Sequence, residues 1–480
     1  MKFFSVFFLA GILLLGRCAK GPEPYGAIPS ERQLAWHEME YYMFVHFTVN
    51  TFTDKEWGYG DESPEVFNPT ELDCRQWARV AKEAGMKGII ITAKHHDGFC
   101  LWPSKYTDHC VKNSPWRNGK GDVLQELRKA CDEYGLKMGI YLSPWDRNSS
   151  VYATPEYIQY YRNQLTELLT NYGDIFEIWF DGANGGDGYY GGAREKRRID
   201  NSTYYDWPNT IKIVRKLQPN AVIFSDAGPD VRWVGNESGL GSMTNWCLLN
   251  RDGMYPGGPF ENILGEGQED GKYWVPAEVD VSIRPGWFWH QKEDSLVKSP
   301  EKLLEIFYTS IGRNSNLLLN VPPDKRGLIN ERDIESLMGF KQLLEKEFAN
   351  ELARGKKVTA SDSRGRRYSP ANVNDGNPDT YWATNDGVTS AELVIDLGEE
   401  TEVNRILLQE YIRLGQRVQE FSVETFSGNR WIPLIEGTTI GYKVIRKFPS
   451  VMASKIKVNI LKSKACPVIS NIELYKAPEE

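Results

Sequence analysis

The chain has 480 residues, enough for about three domains, or fewer if one is a large barrel, and too many for a single small module. Its 57 basic residues stand against 65 acidic ones, a formal net charge of −8, and no Lys/Arg stripe reverses that balance, so general binding to nucleic-acid backbones is excluded. Composition is otherwise that of a globular protein, with 15 Trp and 24 Tyr supplying flat faces with polar edges, suited to sugar stacking and equally to core packing.

Residues 1–20 read as an export signal, possible as a lipoprotein type. Lys2 is followed by an unbroken small-and-apolar run from Phe3 to Leu15, too short to span the roughly 30 Å of bilayer hydrocarbon. Leu15-Gly16-Arg17-Cys18 resembles a bacterial lipobox, although Arg17 stands where a small residue belongs. The expected location is therefore the periplasm or cell surface of a bacterium, with a lipid at Cys18 as the one route to a membrane. The six later cysteines form no C-x-x-C pair and no zinc spacing, and are expected to be buried small hydrophobes. Cys100 and Cys110 are the pair that an oxidising compartment could join.

From about residue 40 to 350, short β-rich runs alternate with amphipathic stretches. The runs are 42–47, 88–93, 137–142, 175–180, 221–224 and 316–321, and their continuous apolarity suits strands buried on both faces. Helical patterns cover Cys74 to Ala84, Val123 to Tyr134, Pro155 to Tyr172 and Tyr204 to Leu217. The first three stop at Gly85, Gly135 and Gly173, as left-handed caps require. This predicts an α/β fold, a (β/α)8-type TIM barrel over residues 21–350. A doubly wound sheet is the alternative, weakened by the lack of G-x-G-x-x-G after the first strand. Beyond Ala353-Arg354-Gly355, runs such as Leu393 to Leu397, Arg405 to Glu410 and Lys455 to Ile460 alternate with turns. They predict an all-β, jelly-roll-like sandwich over residues 351–480.

Chemistry in a barrel belongs at the C-terminal ends of its strands. His46, the run Lys94-His95-His96-Asp97-Gly98, Tyr141 to Asp146, and Trp179-Phe180-Asp181-Gly182 all lie there. Neighbouring strand side chains point to opposite faces, so His95 and His96 suit hydroxyl binding better than chelation of one metal. Asp181, beside permissive glycines, is a rigidly presented carboxylate or a turn cap. Glycoside hydrolysis needs a second carboxyl, kept protonated by an apolar setting, about 5 to 5.5 Å from the first in a retaining enzyme. Glu237, in Trp233-Val234-Gly235-Asn236-Glu237-Ser238-Gly239, and Glu278 are the candidates. Alternation aligns Glu278 with Asp280, Ser282 and Arg284 in what looks like a satisfied network, so Glu237 is preferred. Trp57 and the run Gly286-Trp287-Phe288-Trp289-His290 could line a pocket or pack a core.

These residues together resemble a known family. Phe44-Val45-His46-Phe47, Glu56-Trp57-Gly58, Lys94 to Phe99, Trp179 to Gly182 and Gly235-Asn236-Glu237 occur in order, as in the α-L-fucosidases of glycoside hydrolase family 29. The resemblance implies an exo-acting, retaining fucosidase without a catalytic cofactor, with Asp181 as nucleophile and Glu237 as acid/base, fifty-six positions apart. His46, Glu56, Trp57, His95, His96, Tyr141, Arg232 and Trp289 would bind the substrate, a fucosylated oligosaccharide or glycoconjugate. The Asn236 to Gly239 context and the Pro276 to Trp287 segment look like the subgroup preferring α-1,3 and α-1,4 linkages. A non-catalytic lectin-like protein and a general α-1,2/1,6-active fucosidase are the alternatives. The tail, with Ser369 to Thr384 and Ile472 to Tyr475, resembles a discoidin or factor 5/8 C-type module of the family 32 carbohydrate-binding kind. That implies a structural calcium on Asp375, Asn377, Thr380 and Glu473, whose oxygens suit a hard cation.

Overall fold

The computed structural model describes residues 20–478; the signal segment, with its lipobox-like Cys18, lies outside them. Eight parallel strands close into a barrel: β1 (Tyr41–Val45), β2 (Gly88–Lys94), β3 (Lys137–Leu142), β4 (Ile175–Trp179), β5 (Val222–Ser225), β6 (Val231–Trp233), β7 (Ala277–Ser282) and β8 (Ser315–Asn320). Each pairs with its neighbours in sequence, and β1 pairs with β8 through Tyr41–Leu317 to Phe44–Asn320. The six β-rich runs and the alternating segment around Glu278 are all strands. The three-residue β6 lies in a stretch to which the sequence assigned no element, because it is too short to carry a period.

The helices that cover the barrel start and stop on local chemistry. Asp73 and Asp122 cap α1 (Cys74–Glu83) and α2 (Val123–Tyr134) by accepting backbone N–H groups. Gly135, at φ +65°, closes α2 in the left-handed conformation that a side chain resists. Pro155 opens α3 (Pro155–Asn171), whose buried Tyr157, Tyr161, Leu165 and Leu168 face the strands. Further on, α4 (Trp207–Leu217), α5 (Pro300–Thr309) and α6 (Glu331–Glu347) complete the shell. The apolar layer between strands and helices is one continuous core. A second core fills the barrel itself, built from Tyr42, Phe44, Ile90, Tyr141, Trp179, Phe224 and Leu318 among others.

The second domain is one antiparallel sheet of seven strands, β9 (Lys357–Ala360), β10 (Trp382–Ala383), β11 (Ala391–Glu410), β12 (Val418–Ser427), β13 (Arg430–Gly437), β14 (Val444–Ser463) and β15 (Val468–Tyr475). Register shifts along the long β11–β14 pair let that sheet bend over its own core, as sandwich corners do. Ala353 already packs in that core and Leu352 N donates to Leu474 O, so the chain enters the second domain a few residues after α6. Arg405 reaches back to Glu347 at 3.0 Å with both side chains buried. All six described cysteines are buried free thiols. Cys100 and Cys110 do not pair: their Sγ atoms donate to Gly98 O and Thr107 O in their own turns.

Two carboxyls sit inside the barrel below the rim. Glu177 and Glu278 are both fully buried; Glu177 accepts from Trp36 Nε1 at 3.1 Å, and Glu278 from Trp179 Nε1 at 2.8 Å and from the Tyr42 hydroxyl. Burial pushes both pKa values up, and at Glu177 the charge and hydrogen bond of Glu278 push further, so the pair retains a shared proton. Arg284, expected on this face, lies outside it: β7 ends at Ser282, the alternation ends with it, and Arg284 turns out to Asp333 and Asp294. A carboxyl that binds its proton more tightly folded than unfolded gives stability that is complete below the ordinary carboxyl range and drains as pH rises through the folded value. Glu177→Gln keeps a donor towards Glu278 permanently, so it should hold its melting temperature from pH 5 to 8 while the parent's falls, with a gap at pH 8 equivalent to about 1–3 kcal/mol. Parallel melting curves for the two proteins would overturn the shared proton.

Candidate active site

Alternation decides which strand residues meet at the C-terminal mouth of the barrel. His46 follows β1, His95 and His96 follow β2, and Tyr141 stands near the end of β3. Asp181 lies two residues past β4, and Asn320 ends β8. The rings of His46, His95, His96 and Tyr141 pack in sequence, with centroids 5.4 Å, 4.1 Å and 5.7 Å apart for His46–His95, His95–His96 and His95–Tyr141. Burial keeps all three imidazoles neutral, pulling His46 and His96 down to about 3 and His95 well below the usual range.

The hydrogen-bond partners fix their tautomers. Asn320 Nδ2 donates to Ser282 Oγ and Trp287 O, so its Oδ1 accepts from His46 Nδ1–H at 2.8 Å. Ser143 Oγ donates to Trp145 O at 2.7 Å, so it accepts from His96 Nδ1–H, also at 2.7 Å. Both rings therefore turn an Nε2 lone pair outward. His96 Nε2 stands 3.7 Å from Asp181 Oδ2, and His95 Nδ1 is buried with no partner.

Asp181 is held from two sides. Its Oδ1 accepts from Ala183 N at 2.7 Å and its Oδ2 from the Tyr141 hydroxyl at 2.9 Å, with the side chain 23% exposed. Burial raises its pKa and those two bonds oppose the rise. Gly182 is required next to it, since a Cβ there would lie 2.0 Å from Asp226 Oδ2. Asp226 directly follows β5, accepts from Gly257 N, and is pushed up to about 7 by burial, with the charge of Asp181 adding to it. The sequence reading passed over it.

Glu237 lies exposed on the rim, four residues past β6. Its Oε2 accepts from Trp287 Nε1 at 3.2 Å. Desolvation raises its pKa, the Trp287 hydrogen bond opposes the rise, and the charges of Asp181 and Glu56 add to it. Trp287 thereby joins Glu237 to the histidine cluster, its ring 5.1 Å from His46 and 6.2 Å from Phe44. Glu56 accepts from Trp287 N at 2.8 Å and from Phe288 N at 3.1 Å. Trp57 is 53% exposed, edge-on to His96 and Trp145. Its loop is fixed by Arg147, which donates to Trp57 O and Gly58 O, and by buried Glu62, which accepts from Tyr59 N and Gly60 N. The segment between Asp181 and Glu237 includes a short hairpin, Gly186–Gly188 with Glu195–Arg197.

Two expected substrate residues face elsewhere. Arg232 is the middle residue of β6, so alternation turns it out of the barrel, where it is fully buried and donates to Leu264 O, Val275 O and Asn245 Oδ1. Trp289 is 8% exposed and donates to Asp294 Oδ1 at 3.2 Å. Trp287, two positions earlier in the same aromatic run, is the ring that packs on His46 and meets Glu237; the run marked the place but not which ring turns in. Glu278 belongs to the barrel interior.

Among the described residues, no group of three or more His, Cys, Asp or Glu side chains is placed to hold a metal ion. In the second domain, Asp375 accepts from Asn377 N and Thr380 Oγ1, both at 2.8 Å, forming one turn. Glu473 accepts from Asn471 Nδ2 and Tyr475 Oη. Asn377 and Glu473 line one cleft with the Arg354 side chain, whose guanidinium lies against Gly376 between Asp375 and Asn377.

Comparison with known proteins gives this geometry its family. Residues 25–347 match the family model described as alpha-L-fucosidase, and residues 357–474 match the F5/8 type C domain. Alpha-L-fucosidase 1 of Arabidopsis thaliana is 44% identical over 481 residues, covering 98% of this chain and 92% of the plant protein. A solved putative alpha-L-fucosidase from Bacteroides thetaiotaomicron is 43% identical with a TM-score of 0.88, covering 95% of this chain and 99% of that one. A Ruminococcus gnavus GH29 fucosidase, solved in complex with fucose, is 34% identical with a TM-score of 0.86, covering 96% and 97%. The chain belongs to the α-L-fucosidases of glycoside hydrolase family 29, with a TIM-like barrel followed by an F5/8 type C domain.

Proposed function

We propose that this chain removes terminal α-1,3- and α-1,4-linked L-fucose from branched oligosaccharides and glycoconjugates with retention of configuration, Asp181 acting as nucleophile and Glu237 as acid/base. The observation that carries this reading is the contrast between the two carboxyls, which the Trp287 and histidine rings connect. Asp181 is fixed by Tyr141 and Ala183 N, while Glu237 is exposed at the rim with a raised pKa and one donor. The first suits a carboxylate that must attack along one line, and the second an acid that must stay protonated until the leaving group needs its proton.

In the first step an Asp181 oxygen bonds to the anomeric carbon as the glycosidic bond breaks, its electron pair going to the departing oxygen, which takes the proton of Glu237. In the second step Glu237, now a carboxylate, takes a proton from water, whose oxygen displaces Asp181 and releases fucose. Fucose is a 6-deoxy sugar, so its methyl needs an apolar wall and its hydroxyls need partners. The Nε2 lone pairs of His46 and His96 accept from hydroxyls, His95 and Glu56 add polar edges, Tyr141 holds Asp181, and Trp57 and Trp287 supply faces. No step needs a cofactor. The fucose complex of the Ruminococcus gnavus relative supports a fucosylated substrate; the linkage preference rests on the Asn236 to Gly239 and Pro276 to Trp287 resemblance.

The remaining assignments concern setting. The segment up to Cys18 supports export to a bacterial periplasm or cell surface, and a lipid at Cys18 is read directly by the mass of the mature N-terminus: the added acyl chains support it, and a plain cleaved terminus sinks it. The second domain supports a structural calcium on Asp375, Asn377, Thr380 and Glu473. Millimolar calcium should then raise the melting temperature by a few degrees, reversibly with chelator and not in Asp375→Ala, with turnover unchanged. An indifferent melting temperature would remove the metal.

The catalytic roles are tested on Lewis-type trisaccharides and an aryl fucoside. Asp181→Ala should lower kcat by about 10^4-fold or more on both, and azide should rescue Glu237→Ala to a fucosyl azide of retained configuration, whereas any azide product of Asp181→Ala should be inverted. Since both carboxyls are pushed up, the bell-shaped kcat/KM profile should have its acid limb above 3.8 and its alkaline limb above 4.5. Glu237→Gln should abolish the alkaline limb. Full activity in Asp181→Ala ends the mechanism, and cleavage confined to α-1,2 or α-1,6 linkages ends the linkage assignment.

A further inference from the structure

One buried charged side chain fastens the loop after β7 and has no part in the scheme above. His290 is 3% exposed. Its Nδ1 stands 2.6 Å from Asp54 Oδ1 and its Nε2 2.6 Å from Glu56 Oε1. Both partners are carboxylates, and only an imidazolium carries a proton on each nitrogen, so this geometry requires the charged ring. Burial pulls His290 down, and the bonds and charges of Asp54 and Glu56 outweigh it, leaving the pKa raised. The other charged groups around the clamp are Lys292 and Lys325, whose fields reach Asp54, and Glu293, which accepts from Gly286 N.

What His290 pins is the support of the acid. Glu56 accepts from the backbone of Trp287 and Phe288, and the fit is tight, since a Cβ at Gly286 would lie 2.5 Å from Glu56 Oε1. Trp287 in turn donates its indole N–H to Glu237 Oε2. An oxygen accepting that bond is not the one carrying the acid's proton, so the proton of Glu237 sits on Oε1, the oxygen free to meet the departing group. We propose that His290 is a positioning residue for proton donation, acting through Glu56 and Trp287 to hold Glu237 with its Oε1 proton towards the leaving oxygen. This rests on Glu237 being the acid. A neutral ring keeps only one of its two bonds and turns a lone pair on the other carboxylate, which frees Glu56 and with it the Trp287 loop.

Leaving-group dependence separates this role from a merely structural one. An α-1,3-fucosylated disaccharide needs a proton to depart, whereas fluoride leaves α-L-fucosyl fluoride without one. The ratio of kcat/KM on the disaccharide to that on the fluoride should fall about 10- to 100-fold in His290→Gln and several-fold in Asp54→Asn. An equal fall on both substrates, or no fall on either, overturns the proposal. Glu237→Gln must lower the same ratio more than about 100-fold; if it does not, the acid assignment has failed rather than the clamp. Should His290→Gln not fold, Asp54→Asn carries the test, since that side chain is 56% exposed. Without Asp54 the ring loses its proton at lower pH, so the disaccharide-to-fluoride ratio should begin to fall at lower pH than in the parent. An unmoved onset refutes the role.

Discussion

The pairing of β1 with β8 is the constraint from which the rest of the site follows. Closing the barrel there gives every strand residue an inside or an outside, and it brings the two ends of the catalytic domain together at the rim. His46, just past β1, meets Asn320, the last residue of β8, and that one bond orients the imidazole. The same amide also donates to Ser282 and to the Trp287 carbonyl. Three strands and the loop bearing the pocket tryptophan are therefore tied through one side chain, and a slipped register would turn His46 outward and leave that amide buried without partners.

Below the rim the barrel stores an acid pair, and above it the loops carry free carboxyls, a division made by solvent. Glu177 and Glu278, far from water, share a proton and a ring of indole and phenol donors, whereas Glu237 at the rim can exchange its proton with the medium. Asp181 stands between these regimes: enough water is excluded to lift its pKa, while two directed bonds hold it ionisable. The two carboxyls proposed as nucleophile and acid are thus set apart by depth and by donor count.

What the sequence made legible was whatever repeats or clusters. Continuous apolar runs marked the strands, glycine caps ended the helices, and motifs at strand ends gathered His46, His95, His96, Tyr141 and Asp181 at one mouth. Single-residue direction was not legible where an element was too short to show a period: β6 spans three residues, so nothing revealed that Arg232 points out to backbone carbonyls. Nor could the run of 286–289 say which indole turns in, because that is decided by Glu56, over two hundred positions away, gripping the backbone of Trp287. Asp226 escaped for a related reason. Its importance lies in its contact with Gly182, a neighbour created only by the pairing of β4 with β5.

The second domain belongs to this argument through the loop that follows Glu237. Between Gly239 and β7 the chain makes a long excursion whose regular structure is only a two-residue strand pair, Leu248–Leu249 with Tyr273–Trp274, and a short helix, Glu261–Leu264, a form that loses order unless tied down. Its ties are on the other domain. Asn245 N donates to Thr439 Oγ1, Cys247 N to Gln416 Oε1, and Gln416 Nε2 back to Asn245 O, at 2.7–2.9 Å. Asn245 then takes up Arg232 and donates to the backbone ahead of β8. The outward arginine is thus the link between the sheet domain and β6, the strand that delivers Glu237. An appended module can therefore steady Glu237, the residue proposed as proton donor, by holding the far end of its loop.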